Sequence, residues 1–129
     1  MWAIQAQKVY ENEKTIVLAP LPEDCLSRGH LLVIPREHHV NIFDTPKEVL
    51  HDVMNTVRYV AKSMKRSGYC DGINILNANE VCAQQSVSHL HFHLIPRRES
   101  EKTDLWPKSS YKEEHTASTY SEIALLLSQ

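Results

Sequence analysis

Apolar residues in the first third of the chain come in short runs separated by polar and proline-containing breaks. Lys8-Val9-Tyr10-Glu11 and Thr15-Ile16-Val17-Leu18-Ala19-Pro20 flank a polar stretch at residues 12–14, which predicts two strands joined by a tight turn. Pro20, Pro22 and Glu23-Asp24 then predict a loop. Gly29-His30 opens a third strand, Leu31-Leu32-Val33-Ile34, closed by Pro35. Its apolar residues are continuous rather than alternating, so it is expected to be covered on both faces or to meet another copy.

The pattern then changes to a helical one. Val49, Leu50, Val53, Val57, Val60, Ala61 and Met64 recur at spacings of three and four, giving one apolar stripe on a helix over residues 46–67. Thr45 is the expected N-cap, Pro46 the first helical residue, and Glu48 the partner in a capping box. Lys62, Lys65 and Arg66 suit the carboxyl end of the helix dipole, and Gly68 suits its closure. Asp71-Gly72 marks a turn into a fourth strand, Ile73-Asn74-Ile75-Leu76. An amide-rich loop, residues 77–87, leads into a fifth strand at residues 88–95, which Pro96 is expected to end. A polar tail containing Trp106-Pro107 follows, then a short helix with Ile123, Leu126 and Leu127 on one face. The predicted fold class is α+β: a five-stranded, mostly antiparallel sheet with one long helix and a short C-terminal helix. One domain is expected over residues 1–129, with residues 97–129 as the tail and last helix.

Composition narrows the function classes. The 129 residues include 42% apolar and 23% charged, the profile of a water-soluble globular protein. A net charge of −2 offers no general attraction for nucleic acid or anionic membrane, so neither is an expected partner. Cys25, Cys70 and Cys82 are odd in number and widely spaced, which suits free thiols in a reducing compartment. No stretch approaches a membrane span, and Met1-Trp2-Ala3-Ile4-Gln5 lacks the regions of a signal peptide, so a cytoplasmic location is expected.

The candidate chemistry lies in the fifth strand. Ser88-His89-Leu90-His91-Phe92-His93-Leu94-Ile95 places histidines at alternate positions, so a strand would carry all three on one face and bury Leu90, Phe92 and Leu94 behind it. An imidazole is available as its free base near neutral pH and is a capable nucleophile toward phosphorus. Such a row also suits a plain wet strand face or a shared metal, but structural zinc draws ligands from separated segments in tetrahedral geometry. Gln84-Gln85-Ser86 just upstream adds neutral donors for phosphate oxygens and a hydroxyl for a leaving group.

The stretch from Ala83 through His89-Leu90-His91-Phe92-His93 to Arg97 resembles the signature of the histidine triad (HIT) family. Gly29-His30-Leu31-Leu32-Val33-Ile34-Pro35-Arg36-Glu37-His38 is similar to the family's second landmark. The resemblance implies a nucleotide hydrolase or transferase acting at an α-phosphate, working without a cofactor or metal, with a purine nucleotide as substrate. It also implies a homodimer whose two five-stranded sheets join. His91 matches the nucleophile that forms a covalent nucleotidyl-imidazole; His89 and His93 match the neighbours that orient it and donate to phosphate; His30 matches the upstream member of that network. Gln85 and Ser86 match the residues that hold phosphate and assist the leaving group, and Asn77 or Asn79 matches an amide contact to phosphate. His93, where transferase and phosphorylase relatives carry Gln, points to hydrolysis.

Three positions depart from the family pattern. Ala19 and Pro20 stand where an acidic residue usually grips the ribose hydroxyls, leaving Glu23 or Asp24 as substitutes. Gln84 replaces a customary Gly among the substrate-binding residues. The amino terminus has no Cys-x-x-Cys to join two histidines on zinc, so no structural zinc is expected, and His38 and His39 are left as surface residues. The expected activity is release of a nucleoside monophosphate from a dinucleoside polyphosphate or a nucleoside phosphoramidate. Arg97, Arg98 and Lys102 are candidate contacts beyond the α-phosphate. The lost acidic residue keeps a non-catalytic nucleotide-binding or protein-interaction module as the competing reading.

Overall fold

The computed structural model describes residues 6–106 and 111–129; the expectations resting on Met1 to Gln5 and on Pro107 lie outside them. Five strands, β1 (Lys8–Glu11), β2 (Thr15–Leu18), β3 (Leu31–Pro35), β4 (Gly72–Leu76) and β5 (Phe92–Arg97), form one antiparallel sheet in the order β1-β2-β3-β5-β4. The long helix α1 (Lys47–Arg66) lies between β3 and β4 in sequence, and α2 (Ala117–Leu127) closes the chain. The α+β reading of the sequence holds.

Alternation along the strands divides the sheet into two faces. Val17, Leu31, Val33, Phe92 and Leu94 point to one side, where Val53, Val57 and Val60 of α1 complete the core. Leu18, Leu32 and Ile34 point to the other and pack with Ala6 and Ile16. The continuous apolar run in β3 is therefore covered on both faces within the chain, and all five of its residues are buried. Leu32 pairs with His93 across β3 and β5, so the face turned away from α1 carries the third triad histidine.

Helix α1 begins one residue later than its sequence suggests. Pro46 is the N-cap and its ring has no polar atom to cap with, while the Thr45 hydroxyl donates to the Asn41 carbonyl at 2.5 Å. The carboxyl end follows expectation. Gly68 takes φ +79°, its N–H donates to Lys65 O, and Tyr69 N–H donates to Met64 O, which caps the last carbonyls. Thr56, inside the apolar stripe, is buried and shares a 2.6 Å hydrogen bond with the buried Thr15. The α2 helix is capped by Thr116, which accepts from Thr119 N–H, and none of its residues is buried.

The histidine strand differs from its expected bounds at both ends. Pro96 and Arg97 remain in β5, and the ladder starts only at Phe92, leaving His89, Leu90 and His91 outside it. The register explains this. Continuing the pairing from Val33–Phe92 would bring Leu90 opposite Pro35, which has no N–H to donate. Leu90 N–H turns to His39 O at 2.7 Å, and the Asn77 side chain takes the His91 carbonyl at 2.9 Å.

Candidate active site

A cavity of about 680 Å³ opens on the face away from α1. One wall comes from the loop between β2 and β3: Pro20, Leu21, Asp24 and Leu26, continuing to His30 and Leu32. The other comes from the loop between β4 and β5 and the start of β5: Gln84, Ser86, Val87, His91 and His93. Five of the nine residues singled out from sequence, His30, Gln84, Ser86, His91 and His93, thus meet in one hollow. The other four do not line it.

Hydrogen-bond partners assign the tautomer of each imidazole. Leu26 N–H donates to His30 Nδ1 at 3.1 Å, so the proton of neutral His30 lies on Nε2. His30 Nε2 is 3.0 Å from His93 Nδ1, which must accept, leaving the His93 proton on Nε2. His91 Nδ1 is 2.8 Å from the His89 carbonyl, an acceptor only, so Nδ1 donates and Nε2 carries the lone pair. The His91 and His93 rings stand nearly edge-on with centroids 5.0 Å apart. A ring with a basic nitrogen and a ring with an N–H donor are thereby neighbours on the cavity wall.

Burial keeps the supporting rings neutral. It pushes His93 down to about 4, with the His91 and His30 rings adding to the effect. Burial also lowers His30, against the opposing pull of the Asp24 carboxylate. His89 is lowered chiefly by burial too.

His89 is not on the cavity face, which corrects the expectation of three aligned imidazoles. Once the chain leaves the ladder, strand alternation no longer applies. Its ring turns toward the end of β3, with Nε2 donating to Pro35 O at 3.0 Å and Nδ1 3.1 Å from His38 Nδ1. It serves the cavity through its backbone carbonyl.

The amide side chains build the loop around the cavity. Gln85 donates to the carbonyls of Val40 and Val87 at 2.6 and 2.9 Å and accepts from Glu80 N–H at 2.8 Å. Asn79 accepts from Ile42 N–H and donates to Asn77 Oδ1, while Asn77 holds the His91 carbonyl. Gln84 adopts a left-handed conformation, φ 70° and ψ 29°, so the loop keeps the turn a glycine makes most easily while adding a side chain to the cavity wall. Asp24 is the carboxylate that lines the cavity; Glu23 does not.

The arginines at and just after the end of β5 are committed elsewhere. Arg97 donates to Asn74 Oδ1 and to Thr103 O. Arg98 donates to the carbonyls of Tyr69 and Arg28 and stacks over the Tyr69 ring at 4.5 Å. No Lys or Arg is among the cavity's lining residues. The apolar lining from Leu21 and Leu26 has no signal in the sequence, whereas Leu32 and Val87 lie within the two family-like motifs and Pro20 stands at the ribose position already noted. Cys25, Cys70 and Cys82 are free thiols, and no described helix is long and apolar enough to cross a membrane. Among the described residues, no three His, Cys, Asp or Glu side chains cluster to hold a metal ion.

A family model for the HIT domain matches residues 3–100. The adenosine 5′-monophosphoramidase of Saccharomyces cerevisiae is 43% identical over 84 residues, 63% of this chain and 50% of that protein. An uncharacterised HIT-like protein of Methanocaldococcus jannaschii is 39% identical over 98 residues, 76% of this chain and 74% of its own length. The chain thus spans about half the length of the yeast enzyme and three quarters of the archaeal protein. The crystal structure of a HIT family protein from Bacillus anthracis superposes with a TM-score of 0.80 at 31% identity, covering 95% of this chain and 86% of that one. With a family signature over most of its length and the matching sheet beneath it, the chain belongs to the histidine triad (HIT) family.

Proposed function

We propose that the protein is a nucleotide hydrolase that cleaves a nucleoside 5′-phosphoramidate through a covalent intermediate on His91. The observation carrying this reading is the hydrogen bond from His91 Nδ1 to the His89 carbonyl, which leaves the Nε2 lone pair for attack. In the first step Nε2 forms a bond to the α-phosphorus as the bond to the leaving amine breaks. The departing electron pair takes the hydroxyl proton of Ser86, a residue of the cavity wall, and solvent returns a proton to that oxygen. His93 Nε2–H donates to a non-bridging oxygen, and the His89 carbonyl steadies the positive charge building on the His91 ring. In the second step water forms the new P–O bond, the pair returns to Nε2, and the water's proton passes to solvent.

Gln85, Asn77 and Asn79 support this chemistry by shaping the loop, and Gln84 reaches the substrate from the cavity wall. The Asp24 carboxylate stands in for the customary acid and accepts from the ribose hydroxyls. A purine base packs against Pro20, Leu21 and Leu26. The active form is a homodimer, as the family resemblance implies, and the free cysteines suit a cytoplasmic location.

The lining also favours one of two substrate classes. A dinucleoside polyphosphate brings several negative charges that need cations or a metal, and the cavity is lined by no Lys or Arg, while burial disfavours the charged forms of His30 and His93. A phosphoramidate brings one charged phosphate and an amine. The name of the yeast relative agrees with this choice. On a substrate panel, kcat/KM for adenosine 5′-phosphoramidate should exceed that for diadenosine tetraphosphate by about tenfold or more. A preference for the polyphosphate would overturn the choice of substrate. Absence of turnover on every nucleotide would favour the binding module instead.

A further inference from the structure

We propose that His38, a surface residue on the loop after β3, is a positioning residue that fixes the tautomer and placement of His91 by way of His89. This rests on His91 being the nucleophile, the reading reached above.

The segment carrying His91 has no sheet ladder to hold it, since β5 begins at Phe92. It is tied instead by Leu90 N–H to His39 O, by Asn77 to His91 O, and by the His89 ring to Pro35 O. His91 Nδ1–H finds its acceptor on the backbone carbonyl of His89, so wherever residue 89 sits, the nucleophile's ring follows.

The proton inventory of His89 then assigns a role to His38. The Pro35 carbonyl accepts only, so His89 must carry its proton on Nε2. A neutral ring has one N–H, hence His89 Nδ1 is an acceptor. His38 Nδ1, 3.1 Å away, is therefore the donor. With that donor in place, a proton on His89 Nδ1 would meet another N–H, so the tautomer that serves Pro35 is enforced. Without it, the proton can move to Nδ1 and face water, and the bond to Pro35 is lost. The carbonyl of residue 89 is then free to turn from His91 Nδ1–H. His38 is exposed while His89 is buried, so the outer ring can be replaced with little cost to the core.

Two substitutions separate this from a simple structural tie. In His38→Asn the amide nitrogen falls where Nδ1 was and can still donate; in His38→Leu no donor remains. The readouts are kcat and KM for adenosine 5′-phosphoramidate and the ring nitrogen shifts of His91 in long-range ¹H–¹⁵N spectra. His38→Leu should lower kcat by about 10- to 100-fold with KM within about threefold, and should erase the single Nδ1–H signature of His91. His38→Asn should keep kcat within about threefold of the parent and preserve that signature. Parent-like kcat and tautomer in His38→Leu, or equal impairment in His38→Asn, would overturn the proposal. So would failure of both variants to fold. The nitrogen spectra need no turnover. An inactive parent protein would therefore strike the hydrolase reading, and an unchanged His91 tautomer in His38→Leu would strike only the role of His38.

Discussion

Replacing His91 by Asn is expected to reduce kcat/KM for adenosine 5′-phosphoramidate by about 10⁴-fold or more. The choice of Asn isolates the chemistry. Its amide nitrogen can still donate to the His89 carbonyl, as Nδ1 does at 2.8 Å, so the local fold keeps its contact. What disappears is the Nε2 lone pair, and with it the proposed two-step route through a phosphorylated ring. His93 cannot take over, because its Nδ1 already accepts from His30 and its Nε2 holds the proton. Release of adenosine monophosphate, followed by chromatography, reads the effect. Turnover within tenfold of the parent would place the attacking group elsewhere, while loss of turnover with retained nucleotide affinity agrees with a role in the covalent step.

The second large effect concerns the backbone that delivers His30. Gly29 sits at φ +87°, and a Cβ added there would lie 2.5 Å from Cε2 and Oη of Tyr69. Tyr69 is itself held by the stacked Arg98 guanidinium and by the Arg98 bond to its carbonyl. Gly29→Ala therefore combines a left-handed conformation with a displaced aromatic ring and should cost about 2–3 kcal/mol in urea denaturation. Gly68→Ala provides the comparison: φ is +79°, but nothing lies within 4 Å of the added atom. Only conformational strain of about 1 kcal/mol is expected there. Equal losses at the two sites would show that the Tyr69 contact does not matter. Because His30 follows directly, Gly29→Ala should also disturb the 3.0 Å contact from His30 to His93.

Much of this was legible in the sequence because it depends on local periodicity. The spacing of Val53, Val57 and Val60 describes the buried stripe of α1, and the continuous Leu31-Leu32-Val33-Ile34 run announces a strand covered on both sides. The triad's spacing placed His91 and His93 together, and Gly29-His30 pointed to the third ring in the cavity. The direction of His89 was not legible, because it depends on Pro35 having no N–H at the register where β3 and β5 part. The use of Gln85 and of Asn79 within the loop has a similar origin. Their partners, Val40 O and Ile42 N–H, lie 45 and 37 residues away in the chain, beyond any local pattern. Arg97 and Arg98 read in sequence as candidate phosphate contacts, yet contacts made only in three dimensions commit them to Asn74 and to the Tyr69 carbonyl.

Stereochemistry at phosphorus tests the central claim most directly. With a phosphoramidate made chiral at the α-phosphorus by sulfur and hydrolysed in ¹⁸O water, two successive in-line displacements give net retention of configuration. That is the expected result if His91 Nε2 attacks first and water second. Inversion, the mark of a single attack by water, would contradict the account, as would the absence of any hydrolysis.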